Sequence, residues 1–547
     1  MPELRPALGP AVALSRRAAV ESRALFHVWQ AGILGLDPPG KTLAIARAIH
    51  RLGQLGASIS IAAIKHGDRL GLVDELGELT FAELDARSDA VASALQTAGL
   101  LEGAVGVLCR NHRGFLDITF GAAKAGARTV YLNTDFAGPQ LRDVCSREGV
   151  SLLVHDHEYA GLVEPIEARR LIAWTDGQAD GDSLEQLIAA HAGRSPAPPA
   201  QPAAVVLLTS GTTGTPKGAP RSQGHSLAPV GALLSKVPYR ARESTYVAAP
   251  MFHGLGFTQM ILSVMLGCTT ITQRRFKPAV VLDAIHTRRP TALVVVPVML
   301  QRIVGVLEQD PDRYDTSSLR IVFCSGAQLE AELVRRAQRV LGDVLYNFYG
   351  STEVAYATFA TPEDLRAAPG TAGRVPFGAV VRLYDAEGHL VEGPKRPGRI
   401  FVGNGFQFDG YTGGGGKEEI DGLMSTGDVG HFDAAGRLFI DGRDDDMIVS
   451  GGENLFPGEV EELLLTHEAV EEVAVIGVDD AEFGKRLAAF VALRPGRSLG
   501  EDDVREYVRA NLARYKVPRD VHFLDELPRN PTGKVLKREL RARYAAG

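Results

Sequence analysis

The sequence is poor in cysteine. It has four in 547 residues, Cys109, Cys145, Cys268 and Cys324, and none forms a C-x-x-C pair. That spacing excludes a disulfide framework and a cysteine-built zinc site, and it suits a reducing cytoplasm. No apolar run reaches the ~18 residues that a membrane span needs. Arg16 and Arg17 follow a short apolar stretch, without the apolar core and small-residue cleavage site of a signal peptide. Basic residues are not in surplus: 59 Lys and Arg face 66 Asp and Glu, a net charge of -7. A nucleic-acid partner is therefore not expected, and any bound nucleotide must be held by local groups. Short-period repeats and heptads are missing, and no histidine pair has metal-ligand spacing.

What is present is ordinary for a globular enzyme: 45% hydrophobic and 23% charged residues. The length exceeds what one core sustains, so at least two domains are expected. Residues 1–70 read as a helical extension, with Val12, Leu25, Val28, Trp29 and Ile33 on one helical face and a second apolar stretch from Ile59 to Ile64. Two readings stand: helices packed on the body of the enzyme, or a patch for peripheral membrane or lipid contact. Thr80 and Glu83 form a capping box before the helical pattern Leu84, Val91, Leu95, which should stop at Gly99. Apolar runs then recur at Val105–Leu108, Thr129–Leu132, Leu171–Trp174, Val205–Leu208, Leu293–Val296 and Ile321–Phe323, with helical stretches between several of them. This alternation predicts an α/β fold built on parallel sheet. Pro196–Pro202 reads as a surface loop, and Gly413–Gly416 as a flexible one. From about 376 to 442 Gly-rich turns and short strands predict a small β-rich subdomain, and residues 445–547 a compact α+β domain.

The strongest chemical signal follows the strand at Val205–Leu208. It comprises Thr209, Ser210, Gly211, Thr212, Thr213, Gly214, Thr215, Pro216, Lys217 and Gly218. Glycines allow close backbone approach, hydroxyls donate without charge and Lys217 adds a cation, so the loop can wrap polyphosphate oxygens. The spacing is not that of a Walker loop. This run resembles the phosphate loop of the adenylate-forming superfamily of acyl-CoA synthetases, peptide-synthetase adenylation domains and luciferases. Further motifs follow in that family's order: Pro250-Met-Phe-His253-Gly254, Asn347-Phe-Tyr-Gly-Ser-Thr-Glu353, Ser425-Thr-Gly-Asp428, Gly442-Arg443-Asp-Asp445, Ser450-Gly-Gly-Glu-Asn454 and Pro528-Arg-Asn-Pro-Thr-Gly-Lys534. The resemblance runs from about residue 70 to the C-terminus and is most like a bacterial fatty-acyl-CoA ligase.

The resemblance implies ATP, Mg²⁺ and coenzyme A as small molecules. It implies an AMP-binding domain over 71–444 and a mobile C-terminal domain over 445–547. Tyr349 is expected to stack on adenine, with Asn347, Gly350, Ser351, Gly326 and Ala327 around the nucleotide. Thr352 is expected on the α-phosphate, Glu353 on magnesium, and Asp428 on the ribose hydroxyls, with Arg443 reaching ribose or phosphate. His253 is expected to position, not to act as a base. Lys534 should bridge carboxylate and phosphate as charge builds during in-line attack at the α-phosphorus. Gly451 and Gly452 are expected along the coenzyme A channel, and Asp445 at the hinge.

An amino-acid substrate is disfavoured, because His253 stands where such domains commonly place an aspartate for the α-ammonium. Gly254–Phe257, Met260–Leu262 and Val298–Leu300 are apolar, and Ser325–Gln328 leaves room, which suits a fatty acyl chain. No carrier domain follows Lys534 before Gly547, so free coenzyme A is the expected acceptor. Loading of a carrier protein, or a luciferase-like oxidation of the adenylate, is the alternative.

Overall fold

The computed structural model describes residues 10–546 except 178–179, 209–216, 221–225, 409, 413, 445–447, 451–452, 456, 481–483, 513–515 and 532. Two large sheets organise the chain up to residue 360. In the first, strands Ile321–Cys324, Ala292–Val295, Ser244–Val247, Thr269–Ile271 and Leu70–Asp74 run parallel between Leu345–Tyr349 and the edge strand Gly77–Thr80. In the second, Arg169–Trp174, Val150–Asp156, Ala104–Leu108, Arg128–Tyr131 and Ala204–Leu208 are parallel, closed by antiparallel Gly218–Pro220. Five of the six apolar runs fall in inner strands, where parallel sheet is covered on both faces, and Leu171–Trp174 lies in an edge strand whose first two residues are exposed. Strand ends converge on one cleft, where ligands of open α/β sheets generally sit.

The capping box forms as expected: Thr80 Oγ1 accepts from Glu83 N at 3.2 Å, and Thr80 N donates to Glu83 Oε2 at 2.7 Å. Gly99 follows the helix Phe81–Thr97 with φ +64°, a left-handed stop. Strands Ala379–Tyr384, Gly398–Asn404, Leu423–Phe432 and Leu438–Arg443 form an antiparallel sheet around Ile400, Val402 and Leu438. Toward the C-terminus, strand Val470–Asp480 places Val473 and Val475 on one face and Ala474 and Ile476 on the other. Helices Pro457–Leu465 and Glu501–Asn511 cover the first face, and Lys537–Ala546 the second through Leu540.

The N-terminal helix departs from the sequence pattern. Helix Pro10–Gln30 and the turn after it bury Ala24, Val28 and Ala31, spaced four and three apart, while Leu25 and Trp29 stand exposed. The reason is closeness: a Cβ on Gly231 would lie 2.4 Å from the Ala24 Cα, a crossing that admits only small residues. Helix Pro39–His66 is broken at Gly53, which has φ +70°. After the break, Ala57, Ile59 and Ala62 are buried, so the stretch Ile59–Ile64 packs on the body of the enzyme. Among the described residues, no helix is long and apolar enough to cross a membrane.

Candidate active site

A continuous cleft of about 2460 Å³ separates the C-terminal part from the larger body. Most of the expected site residues that are described lie along it: Lys217, His253, Gly326, Ala327, Asn347, Tyr349, Gly350, Ser351, Thr352, Glu353, Asp428, Arg443 and Lys534. Thr209–Gly214, Asp445, Gly451 and Gly452 fall outside the described residues.

Asp428 and Arg443 are cross-strand partners of the antiparallel sheet, so register alone brings them together. Arg443 Nη1 donates to Asp428 Oδ1 at 3.2 Å, and the Tyr349 hydroxyl donates to Oδ2 at 2.6 Å. Gly427 has φ +78°, and a Cβ there would meet the Arg443 guanidinium at 3.1 Å. Burial raises the Asp428 carboxyl, opposed by Arg443 and Lys534. Asn347 Nδ2 donates to the Thr371 carbonyl at 3.3 Å, which fixes the strand that carries Tyr349.

Glu353 sits in a tight turn after that strand, 9% exposed. A Cβ on Gly350 would strike the Ala355 carbonyl oxygen at 2.1 Å, so only glycine fits. Both carboxylate oxygens of Glu353 accept from hydroxyls: Tyr411 at 2.8 Å on Oε1 and Ser351 at 2.9 Å on Oε2. The carboxylate is thus oriented by neutral donors, with lone pairs left for a hard cation, and the donor set fits magnesium. Tyr411 also lies under Lys217, whose Nζ is 5.1 Å from the ring centroid. The next residue, Thr412, accepts from Gly218 N at 3.1 Å and donates to Glu148 at 2.6 Å. Tyr411 and Thr412 thus tie the end of the phosphate loop to Glu353, and sequence reasoning missed both. The one signal was a Gly-Tyr-Thr step before the glycine run.

His253 caps the N-terminus of helix Gly254–Met265 without a side-chain bond, and its Nε2 is buried and unpartnered. Burial, then the charge of Lys534, lowers its pKa to about 3. The ring is therefore neutral at ordinary pH.

Lys534 comes from the far end of the chain. Asn530 holds the turn: its Oδ1 accepts from Lys534 N at 2.9 Å, and its N donates to Lys534 O at 2.9 Å. Gly533, at φ +79°, docks on the body, where a Cβ would meet Val298 Cγ1 at 2.6 Å. The ammonium is reached by solvent in the cleft yet enclosed by protein. That enclosure lowers its pKa from the usual lysine range, and Asp428 and Glu353 pull the other way. Away from the cleft, Cys109, His112 and Asp156 also cluster. His112 Nε2 is 2.7 Å from Asp156 and Nδ1 accepts from Gly114 N at 3.1 Å, so neither ring nitrogen is left for a metal.

One cleft therefore holds a carboxylate suited to a cation, a carboxylate–arginine–tyrosine cradle and a lysine from the C-terminal part. The AMP-binding enzyme family matches residues 60–412, and the AMP-binding enzyme C-terminal domain matches residues 459–534. The chain belongs to the AMP-binding enzyme family. A feruloyl-CoA synthase of Amycolatopsis is 34% identical over 88% of this chain and 96% of its own length. A long-chain-fatty-acid–CoA ligase of Mycobacterium tuberculosis is 30% identical over 86% and 93%. The o-succinylbenzoate CoA synthetase of Bacillus subtilis, solved with its acyl-adenylate, is 26% identical with a TM-score of 0.76, covering 88% of this chain and 97% of that one. The family is that of AMP-forming acid–CoA ligases, which take ATP, Mg²⁺ and coenzyme A.

Proposed function

We propose that this AMP-binding enzyme is a fatty-acyl-CoA synthetase, which converts a medium- or long-chain acid to acyl-AMP and then to its coenzyme A thioester. The observation that carries the reading is the apolar continuation of the cleft beyond His253. Leu255, Ile261 and Met265 of one helix, Leu55 and Ile61 of another and Leu233 of a third are among its lining. No acidic side chain follows Phe252 to meet an α-ammonium. Each methylene buried there is worth roughly 0.8 kcal/mol, which favours long chains over acetate.

In this reading Lys534 draws the carboxylate and the α-phosphate together and stabilises the charge that builds on them. Asp428 accepts from the ribose hydroxyls, with Tyr349 and Arg443 holding its orientation, and Tyr349 also offers its face to adenine. Thr352 donates to the α-phosphate, and Ser351, Gly326 and Ala327 leave room around it. Glu353 binds Mg²⁺, which supplies charge neutralisation of the phosphates when bound. Neutral His253 separates the anions and positions them. Thr209–Gly214 and Lys217 cradle the leaving pyrophosphate. Rotation of residues 445–547 about Asp445 brings Gly451 and Gly452 to the thiol path, and residues 1–70 give peripheral membrane contact.

A second reading is an aryl-propenoic acid substrate, supported by the identity with feruloyl-CoA synthase. The deciding experiment is pyrophosphate release with hexanoate, palmitate, ferulate, acetate and an amino acid, with and without coenzyme A. The first reading expects palmitate or a medium-chain acid to give the highest kcat/KM, with sustained turnover only when coenzyme A is present and about one equivalent of pyrophosphate per enzyme without it. Preference for ferulate would establish the second. Sustained turnover without coenzyme A would point to a carrier protein or to another fate of the adenylate, such as a luciferase-like oxidation.

A further inference from the structure

Ten large apolar side chains are exposed among the described residues, and seven of them fall between residues 25 and 49: Leu25, Phe26, Trp29, Leu34, Leu36, Leu43 and Ile49. Leu36 is fully exposed, Trp29 60% and Leu43 52%. So dense an apolar surface marks an interaction site. Two further observations identify what it meets.

The first is charge. Residues 17–66 carry six Lys and Arg against two Asp and Glu, in a chain whose net charge is -7. Both acids are engaged within the protein. Glu21 accepts from the Ser226 hydroxyl at 2.6 Å and from Leu227 N at 3.1 Å, and Asp37 pairs with Lys65 at 3.2 Å. Arg17, Lys41 and Arg47 are exposed, and Lys41 and Arg47 are on the helix that carries Leu43 and Ile49. The second is continuity with the cleft. In the half-helix before the Gly53 break, Leu52 is buried and Ala48 and Ala44, four and eight residues earlier, are partly buried. Thr42, Ile45 and Ile49, spaced three and four apart, line the cleft, and Leu43, Arg47 and His50 face outward. Leu34 and Ile49 are at once exposed and part of the cleft wall. The patch is therefore its rim.

We propose that residues 25–49 dock the enzyme on an anionic lipid bilayer and form the mouth through which the acid passes from bilayer to cleft. Basic side chains next to Trp, Phe and Leu on a helix are the composition that lies in a lipid interface, where each Lys or Arg contributes electrostatic attraction. The entry route rests on the fatty-acid reading of the site; the docking does not.

The test uses the full chain and vesicles of phosphatidylcholine, with or without one third phosphatidylglycerol. Wild type should sediment with the anionic vesicles and not with the neutral ones. Lys41→Ala/Arg47→Ala should bind the anionic vesicles about thirtyfold more weakly, two charges' worth. Leu36→Ser/Leu43→Ser should also release the enzyme. None of these four side chains lines the cleft, so both variants should keep the wild-type rate on dissolved hexanoate and lose rate on palmitate delivered in anionic vesicles. Equal binding by variant and wild type, or no preference for the anionic vesicles, overturns the proposal. So does a dimer in sedimentation velocity that dissolves in the leucine variant while wild type ignores vesicles. Should no fatty acid be a substrate while charge-dependent vesicle binding persists, the docking stands and the entry route is refuted.

Discussion

Enclosure pulls Lys534 and Asp428 in opposite directions, each toward its neutral form, and each resists by its charge on the other. Removing the lysine therefore takes away the proposed electrostatic clamp and one of the charges, after Arg443, that lower the Asp428 carboxyl. Lys534→Ala is expected to cut acyl-AMP formation by several orders of magnitude and to spare thioester formation from supplied adenylate. Pyrophosphate release and thioester assays, run separately, check it, and equal loss in both would make Lys534 structural. Tyr411 acts one bond further out, through its 2.8 Å hydrogen bond to Glu353. With Glu353 proposed as the magnesium ligand, Tyr411→Phe should raise the Mg²⁺ concentration for half-maximal pyrophosphate release by about tenfold, the lower end for losing a ligand's supporting bond. An unchanged titration would detach Tyr411 from the metal.

Gly533 belongs to an element, the turn that joins two bodies. An alanine there meets both a left-handed φ, at about 1–2 kcal/mol, and the Val298 side chain. Gly533→Ala should slow adenylation about tenfold and leave the thioester step from supplied adenylate unchanged. Val298→Ala in the same chain should recover part of the loss, which a merely unfolded turn would not allow. The elements were unequally legible in the sequence. Inner strands such as Val105–Leu108 announced themselves because burial on both faces makes them apolar throughout. Ser244–Val247 and Val150–Asp156 were not singled out, because Ser, Thr, His and Asp interrupt them. The first helix misled for the opposite reason: Ala24 and Gly231 make its contact, and hydrophobicity does not flag small residues. Site residues in one contiguous motif, Asn347 to Glu353, could be read directly. Tyr411, 58 positions from its partner Glu353, needed the fold.

At the scale of the molecule, the seam between the C-terminal part and the body carries buried acid. Glu330, at the N-terminus of helix Ala331–Leu341, has Oε2 enclosed and unpartnered. Burial, then Glu462 and Glu461 across the seam, raises its pKa to about 8, against the pull of Lys537 and Arg529. Glu462 is itself raised, first by burial. A carboxyl whose pKa is higher docked than free takes up a proton on docking. The docked arrangement is then fully favoured below the free value near 4.5 and weakens as pH rises toward about 8. Across that window, adenylation should decline relative to thioester formation. Glu330→Gln, neutral throughout, should flatten the trend, and an unaltered pH dependence of the two half-reactions would assign it to another group. The same seam has a kinetic meaning. The residue next to Lys534, Gly533, rests on Val298 at the seam. A group that stabilises a transition state serves the reaction in both directions, so in the role proposed for Lys534 pyrophosphate returning to acyl-AMP needs it as much as ATP did. Whatever lifts Gly533 off Val298 would then close the way back as well as the way forward, so the contact would gate adenylation in both directions.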